Sequence, residues 1–466
     1  MSPGMHSRIS ETNRVRSYDT RQRRGASRTA LSGPKAMIDK FAIVPIAACF
    51  FALIVFPLLF FFTPDDIHAL EGRPETRIFW PAMAAISVFF TVQNRSRLTL
   101  PPHIICLLAY LAFAGASVLW AFSPERSFVR FVQEVMVVTS IVLPAMLAAR
   151  TVDMMRALFL CFSFALILNL FFVFAGSVTI GHIGSKLVIL GYQGYFSAKN
   201  YLGECAAPAF LLSLHEILQR GWRRALGAIV VVMAILLVIV SNSKTAFGLA
   251  LVCPLLAWLT LLVRKATRIS PAIILLTIPL SYAVLSIASN VNIMERLSWM
   301  LYHDSTLTGR TIIWDFANYE IGRSPLFGWG YQSFWLVPGS PALTDIPGWV
   351  GMMPNAHNGY YDTMLEMGYA GLPFLFVFII ATLHAVGRVA DRDPARAQLV
   401  LSLALFVILY NFFESLWMRG FEFLWVVFVI VAAEIGRYWR PFPLRRAAYG
   451  SRSQRPAASE RRRNSE

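Results

Sequence analysis

Long apolar segments recur along almost the whole chain, and they constrain its fold more than any other feature. Each runs for about 20 mainly apolar residues, the length that a helix needs to cross a bilayer. Twelve such segments cover 41–62, 78–93, 103–122, 129–148, 157–178, 201–217, 225–241, 245–263, 270–290, 365–386, 397–413 and 421–436. Charged residues make up only 15% of the chain, whereas soluble proteins carry roughly 25%. The sequence therefore predicts an all-α polytopic membrane protein with about twelve transmembrane helices.

The basic residues predict how these helices are oriented. If both termini are cytoplasmic, 31 of the 42 Lys and Arg residues fall in inner segments and 11 fall elsewhere, as the positive-inside rule requires. Residues 1–40 hold nine basic and three acidic residues, and residues 438–466 hold eight and two. We expect two disordered, basic cytoplasmic tails that are attracted to anionic membrane lipids. Nucleic-acid binding is the weaker interpretation, because the excess charge lies in short flanks of an apolar body.

One connection is much longer than the others. It separates the ninth and tenth helices and predicts an outer, periplasmic loop over 291–364, between transmembrane helices one to nine (41–290) and ten to twelve (365–437). Within it, apolar residues recur at helical spacing from 308 to 321, and Ser324-Pro325 ends that helix. Several aromatic residues follow, so we expect an ordered aromatic cap over the bundle. A second outer segment, 179–200, is also longer than a turn needs.

The five cysteines do not indicate a disulfide framework or a metal site. They are Cys49, Cys106, Cys161, Cys205 and Cys253. All lie in apolar segments without metal-ligand spacing, so we interpret them as buried small hydrophobic residues.

Three cations lie at or near predicted outer membrane boundaries, where Lys and Arg are otherwise scarce. Lys199 precedes the sixth helix, Lys244 lies in the turn before the eighth, and Arg310 opens the loop helix. A single basic residue at a helix end commonly extends to the membrane interface without any ligand. Three of them on one side favour an anion site, because Arg binds phosphate through a planar fork and Lys as a point charge.

His357 is the candidate general base of the outer face. It lies among turn residues just before the tenth helix, followed by Asn358 and, further on, by Glu366. An unperturbed imidazole titrates near pH 6.5, which suits proton abstraction at ambient pH. Asn358 or Glu366 could orient the ring. Gly368 and Gly371, one helical turn apart, predict either close packing of the tenth helix on a neighbour or a ligand contact.

Four motifs around the long loop resemble those of the O-antigen ligase and O-antigen/exopolysaccharide polymerase superfamily. His357-Asn358 with Gly368 and Gly371 forms an H-N-x9-G-x-x-G pattern similar to that family's signature. Thr308-Gly309-Arg310 with Trp314, and Ser324-Pro325 with Gly328 and Gly330, resemble its periplasmic-loop motifs. Ser243-Lys244-Thr245-Ala246 resembles its outer-turn motif, in which many members carry Arg. The succinoglycan-type exopolysaccharide polymerases are the nearest in character.

The resemblance implies a metal-independent glycosyl transfer at the periplasmic face of a bacterial inner membrane, with no cofactor. The donor would be a glycan linked to undecaprenyl diphosphate, and the acceptor a sugar hydroxyl of another lipid-linked repeat or of lipid A-core. His357 and Arg310 would be catalytic. The predicted substrate-binding residues are Lys244, Lys199, Arg323, Asn358, Trp314 and Glu366. Membrane lipids and a polysaccharide chain-length regulator are the expected partners.

Other functions stay open from the residues alone. A metal-dependent lipid-linked glycosyltransferase would use acidic residues near the first outer loop, where Asp65 and Asp66 are available. A transporter or flippase of lipid-linked oligosaccharide would place ionisable residues along a central pathway, for which Glu134 and Glu204 are the best candidates. The same two carboxylates could instead line the cavity for a lipid-linked glycan.

Overall fold

The structure is a computed structural model that describes residues 40–63, 73–148, 152–183, 186–289, 309–346, 348–420 and 422–439. The tails predicted at 1–40 and 438–466 lie almost wholly outside this part, and so do Asp65 and Asp66.

Fourteen helices and one β-hairpin form the described part. The helices are α1 (Ile43–Phe62), α2 (Pro74–Gln93), α3 (Pro102–Ser117), α4 (Pro124–Leu147), α5 (Met154–Phe174), α6 (Lys199–Ile217), α7 (Trp222–Val240), α8 (Lys244–Thr267), α9 (Pro271–Ser289), α10 (Arg310–Arg323), α11 (Pro341–Thr344), α12 (Gly359–Ala390), α13 (Pro394–Tyr410) and α14 (Phe423–Arg437). The hairpin strands are β1 (Val178–Ile183) and β2 (Lys186–Tyr192).

The predicted fold class is confirmed. Each of the twelve apolar segments overlaps one of these helices. In the part of the chain that the structure describes, eight helices are long and apolar enough to cross a membrane, namely α1, α3, α4, α5, α7, α8, α9 and α12. The other four are more polar or shorter, and α13 and α14 have only 17 and 15 residues. The chain is therefore an all-α polytopic membrane protein, and the count of twelve crossings stays a prediction.

Helix α14 lies at the centre of the bundle. All 15 of its residues are buried, and it packs against α1, α3, α4, α12 and α13. A helix that is apolar on every side needs protein on every side when it does not face lipid. Its position explains how a segment too short to span a bilayer alone is held at depth by its neighbours.

The only strands among the described residues lie within 178–192, and they form an antiparallel hairpin that the all-helical expectation did not include. β1 and β2 pair from Val178 with Tyr192 to Ile183 with Lys186. The hairpin fixes two helix starts. Thr179 Oγ1 accepts a hydrogen bond from the backbone N–H of Lys199 at 2.9 Å, and the carbonyl of Leu190 accepts one from Asn242 Nδ2 at 2.9 Å. It thereby ties the beginning of α6 to the turn that precedes α8.

The long connection forms the ordered aromatic cap that the sequence predicts, within 309–346 and 348–358. The predicted loop helix is α10, and its apolar face, with Phe316, packs on Phe334 and Trp335 in a compact hydrophobic cluster. The indole N–H of Trp335 donates to Asp362 of α12 at 2.8 Å. The cap is thus packed within itself and bonded to the bundle.

Helix α12 differs from the predicted tenth helix in two ways. It begins at Gly359 rather than at 365, and it is interrupted at Gly368, whose φ of 65° and ψ of −171° are not helical. The backbone groups released there bind the cap segment that follows α10, in an arrangement that we call the loop clamp. Its hydrogen bonds run from Trp329 N to Leu365 O (2.7 Å), from Gly330 N to Glu366 O (2.8 Å), from Tyr369 N to Pro325 O (2.8 Å) and from Ala370 N to Leu326 O (3.1 Å).

The loop clamp explains the glycines of two motifs. A Cβ atom on Gly328 would lie 2.6 Å from the carbonyl oxygen of Leu365, and one on Gly368 would lie 2.5 Å from the backbone nitrogen of Phe327. Neither gap accommodates a side chain. Packing of Gly368 and Gly371 together against a neighbouring helix was therefore a wrong interpretation. A Cβ on Gly371 would meet the side chain of Met367, in its own helix.

Candidate functional site

The turn before α12 presents His357. Asn358 caps the helix, because its side-chain oxygen accepts hydrogen bonds from the backbone N–H groups of Tyr360 and Tyr361. His357 itself has a φ of 47°, and its backbone N–H donates to Asn355 Oδ1 at 2.9 Å. A left-handed backbone at a non-glycine residue is uncommon and is found where the surroundings enforce it. In this protein the left-handed conformation occurs at His357, the residue that the sequence predicts as the general base.

Glu414 orients the His357 ring. Nδ1 of His357 lies 2.7 Å from Oε2 of Glu414, which belongs to the connection between α13 and α14. An ionised carboxylate can only accept, so Nδ1 carries the proton in this pair. In neutral imidazole the other nitrogen, Nε2, then holds a lone pair. Nε2 makes no hydrogen bond to any residue that the structure describes, so it is placed to accept a proton from a ligand.

Glu414 is the centre of a charged network. Its Oε1 accepts hydrogen bonds from Arg310 Nη2 at 2.9 Å and from Asn200 Nδ2 at 3.2 Å. Burial alone would raise the pKa of Glu414, since its side chain is 14% exposed. The hydrogen bond from His357 and the charges of His357 and Arg310 outweigh burial and hold that pKa below its ordinary value. Glu414 therefore stays ionised at neutral pH.

Three helices begin with a cation at this site. Lys199, Lys244 and Arg310 are the first residues of α6, α8 and α10, and the charges of Lys244 and Arg310 both act on Lys199. Lys199 Nζ donates to the carbonyl of Asn242 at 2.8 Å. Helix N-termini carry partial positive charge and unpaired N–H groups. The cations predicted from separate segments thus form one electropositive group.

Arg310 retains hydrogen-bonding capacity. Its Nη2 binds Glu414, but its Nε is buried and has no acceptor among the described residues. Buried donors are normally satisfied, and an orphaned one marks a place where a ligand or water binds. A guanidinium with an available N–H edge suits a phosphate oxygen.

A cavity of about 340 Å³ includes Pro354 and Asn355, which precede His357, in its lining, and we call it the central cavity. One wall is apolar and includes Phe56, Pro57 and Phe60 of α1. The other wall is polar. It contains Tyr201, Gln332, Asn355, Arg419 and Glu422. Asn355 also binds the backbone of His357, so the cavity reaches the turn that carries the histidine. The two unlike walls suit a ligand that is partly lipid and partly polar.

The other predicted binding residues are placed differently. Glu366 pairs with Arg419 at 2.9 Å instead of orienting His357. It follows the histidine by nine residues, and a helix rises about 1.5 Å per residue, which puts Glu366 more than about 10 Å along the axis. Arg323 pairs with Glu320 and Asp345, at the end of α10 opposite Arg310. Asn358 does not orient the His357 ring either. Its side chain is buried and caps α12.

Trp314 connects the cap to the histidine turn. Its indole N–H donates to the carbonyl of Ala356, next to His357, at 3.0 Å, and its ring stacks on Tyr361 with centroids 5.7 Å apart. It supports the turn from outside. A direct contact between Trp314 and substrate stays a prediction.

The carboxylates predicted for a transport pathway lie in different surroundings. Glu134 accepts a hydrogen bond from the indole N–H of Trp425 at 2.6 Å, inside the bundle. Glu204 is buried beside Tyr410, and the charges of Glu414 and Arg310 act on it. Glu204 therefore adjoins the candidate site.

Two residues of the site, Glu414 and Asn200, were not predicted from the sequence. Glu414 follows His357 by 57 residues and lies in a short connection without a motif. Its only sequence signal was an acidic residue at an outer helix end, which usually indicates a solvated charge. Asn200 directly follows Lys199 and belongs to no motif.

Comparison with known proteins gives this site a family context. Residues 228–376 match the family model described as O-antigen ligase. That range contains Lys244, Arg310 and His357 and ends before Glu414. The match confirms the resemblance seen in the motifs, over about a third of the chain.

A particular relative supports the same conclusion. The chain is similar to the exopolysaccharide production protein ExoQ of Rhizobium meliloti (strain 1021), with 27% identity over 311 residues. The similarity covers 62% of this chain and 67% of the relative. One comparison thus names an O-antigen ligase and the other a protein of exopolysaccharide production.

Proposed function

We propose that this protein is an exopolysaccharide polymerase. In this proposal it transfers a glycan from undecaprenyl diphosphate to a sugar hydroxyl of a second lipid-linked repeat. The observation that carries the proposal is the pairing of His357 with Glu414 beside three converging cations. This arrangement supplies a proton acceptor next to an anion site, which is what such a transfer needs.

In the reaction that we propose, the acceptor hydroxyl attacks C1 of the donor glycan. His357 Nε2 takes the hydroxyl proton as the new C1–O bond forms. The bond between C1 and the diphosphate oxygen breaks, and its electron pair leaves with the diphosphate. Glu414 stabilises the imidazolium that results, as the carboxylate of a catalytic triad does. A single displacement of this kind inverts the configuration at C1.

Arg310, Lys244 and Lys199 stabilise the departing diphosphate. A lipid diphosphate is already a good leaving group and needs no protonation, so fixed cations in a site of low water content provide the main stabilisation. The proposal gives these cations the role that a metal ion has in other transferases. Lys244 stands where many relatives carry Arg, and it contributes a point charge in place of a bidentate contact.

The central cavity fits a lipid-linked glycan in this proposal. The apolar wall formed by α1 would face the polyprenyl chain, and the polar wall with Gln332, Asn355 and Arg419 would face sugars. The site would then lie on the periplasmic side of the bacterial inner membrane, with both termini in the cytoplasm. Membrane lipids surround the protein, and a chain-length regulator is a further proposed partner.

A second candidate function is ligation of lipid-linked glycan to lipid A-core. It is favoured by the description of the matching family, O-antigen ligase. The chemistry at His357 would be the same, and only the acceptor would differ. The polysaccharide that cells produce therefore distinguishes the two functions, whereas the residues of the site do not.

The test uses cells that lack the gene and carry wild type, Arg310→Gln, Lys244→Gln or Lys265→Gln. Wild type should restore long polymer, whereas the first two variants should yield at least about tenfold less, since each removes a charge-assisted contact. Lys265 is exposed at the opposite end of α8, so Lys265→Gln should match wild type. The amount of each protein in membranes is measured in parallel.

The size distribution of the polysaccharide decides between the functions. Loss of long polymer with accumulation of single repeats supports the polymerase. Loss of O-chain from lipopolysaccharide with free polymer retained would assign the ligase function. Normal polymer from both variants at matched protein levels would contradict the proposed anion site.

A further inference from the structure

A second cavity, of about 370 Å³, lies between the N-terminal parts of α2 and α4. Its polar lining includes Arg77 of α2 and, from α4, Arg126, Arg130 and Gln133. We call it the arginine cavity. Arg126, Arg130 and Gln133 recur at i, i+4 and i+7, which places them on one face of the helix. Its volume lies within the range of small-molecule sites.

The arginine cavity is electropositive. Of the described residues that line it, three are arginines and one, Glu125, carries a carboxylate. Arg130 is only 8% exposed and donates to the backbone carbonyl of Gln332. Among the described residues no carboxylate forms a salt bridge with Arg130. The charges of Arg126, Arg419 and Glu366 act on its guanidinium. A buried cation that is paired with a neutral carbonyl in such surroundings favours a bound anion.

The segment 331–333 lies between the arginine cavity and the central cavity. The side chain of Gln332 lines the central cavity, while its carbonyl is held by Arg130 on the other side. Ser127 Oγ donates to the carbonyl of Tyr331 at 2.7 Å, and the backbone N–H of Ser123 donates to Ser333 Oγ at 2.6 Å. One segment of the cap thus separates two cavities on the same face of the molecule.

We propose that the arginine cavity binds the diphosphate of the lipid-linked acceptor. This inference rests on the proposed polymerase function. Both substrates of a polymerase are attached to lipid diphosphates, so the protein must hold two such groups while one glycan is transferred. Lys199, Lys244 and Arg310 serve the donor beside His357. Arg77, Arg126 and Arg130 serve the acceptor across the 331–333 segment, and planar guanidinium groups suit phosphate oxygens.

Membrane phospholipid could supply the same phosphate chemistry, so the test compares both sources. The purified full-length protein is titrated with glycan-free undecaprenyl diphosphate, and bound lipid is counted by native mass spectrometry. Wild type should bind two molecules. The Arg77→Gln/Arg126→Gln double variant should retain one and bind the other at least about tenfold more weakly, because charge-assisted hydrogen bonds are lost. Excess phosphatidylglycerol should leave both molecules bound.

Matched variants keep the result interpretable. Arg77→Lys/Arg126→Lys preserves the charges and should retain the second site. Arg95→Gln removes an exposed arginine that lies just beyond the opposite end of α2, and this variant should also bind two molecules. A wild type that binds one molecule, a double glutamine variant that binds two, or displacement of the second molecule by phosphatidylglycerol would overturn the inference. Polymer formation that depends on His357 would still support the proposed function in each of these cases.

Discussion

Replacing His357 with alanine should lower the rate of glycan transfer by about 100-fold or more, the typical contribution of a positioned general base. The side chain removed is the one whose Nε2 is left to accept the acceptor proton, since Nδ1 binds Glu414 at 2.7 Å. Binding of the lipid-linked donor should change little, because the cations that hold the diphosphate are untouched. The measurement is the rate of polymer formation by purified protein, together with the affinity for undecaprenyl diphosphate.

His384 provides the matched control. It is an exposed histidine of the same helix, and its Nδ1 lies 2.9 Å from Ser270 Oγ, far along α12 from the site. His384→Ala should transfer glycan at the wild-type rate. A His357→Ala variant with full activity would show that His357 is not the general base.

The Glu414→Gln variant tests whether Glu414 and His357 act together in proton transfer. The amide keeps the shape of the side chain but loses the charge that stabilises imidazolium and pairs with Arg310. We expect the rate to fall between that of wild type and that of His357→Ala. If glutamine at 414 has no effect, Glu414 serves only to hold the turn.

Replacing Gly368 with alanine should destabilise the protein by about 3 kcal/mol or more, because two costs add. The backbone there has a φ of 65° and a ψ of −171°, a region that is essentially restricted to glycine. A Cβ would also lie 2.5 Å from the backbone nitrogen of Phe327. The loop clamp would have to open, and the cap that carries Arg310 would lose its attachment.

The measurement for Gly368→Ala is the melting temperature of the purified protein and its amount in membranes. Gly248→Ala is the control, since Gly248 lies within α8 and an added Cβ there meets nothing within 4 Å. Alanine should be neutral or stabilising at that position. Wild-type melting of Gly368→Ala would show that the loop clamp does not hold the cap.

The sequence predicts the elements of this protein better than their connections. The twelve helical segments can be identified by the length of their apolar runs, because a helix needs about 20 apolar residues to cross a bilayer. Helical periodicity likewise identifies α10, which spans Arg310–Arg323. The interruption of α12 at Gly368 carries no such signal, since a glycine in an apolar helix is also compatible with uninterrupted packing. Only the four hydrogen bonds to the cap reveal its role.

The candidate site divides in the same way. Lys199, Lys244, Arg310 and His357 could be identified because each lies in a local pattern, at a helix start or in a turn. Glu414 could not, because its function depends on a contact across 57 residues that only the folded chain creates. Glu366 is nearer to His357 in sequence than Glu414 is, but it does not orient the His357 ring. Its helix carries it away from the turn, to Arg419.

In the proposed function, this site exchanges a bond to diphosphate for a glycosidic bond. It is tested most directly with purified protein in lipid vesicles that contain lipid-linked repeats. We expect one free undecaprenyl diphosphate for each glycosidic bond formed, and at least about 100-fold slower release of both products with His357→Ala. Movement of intact lipid-linked repeats across the vesicle membrane without either product would contradict it and would establish a transporter.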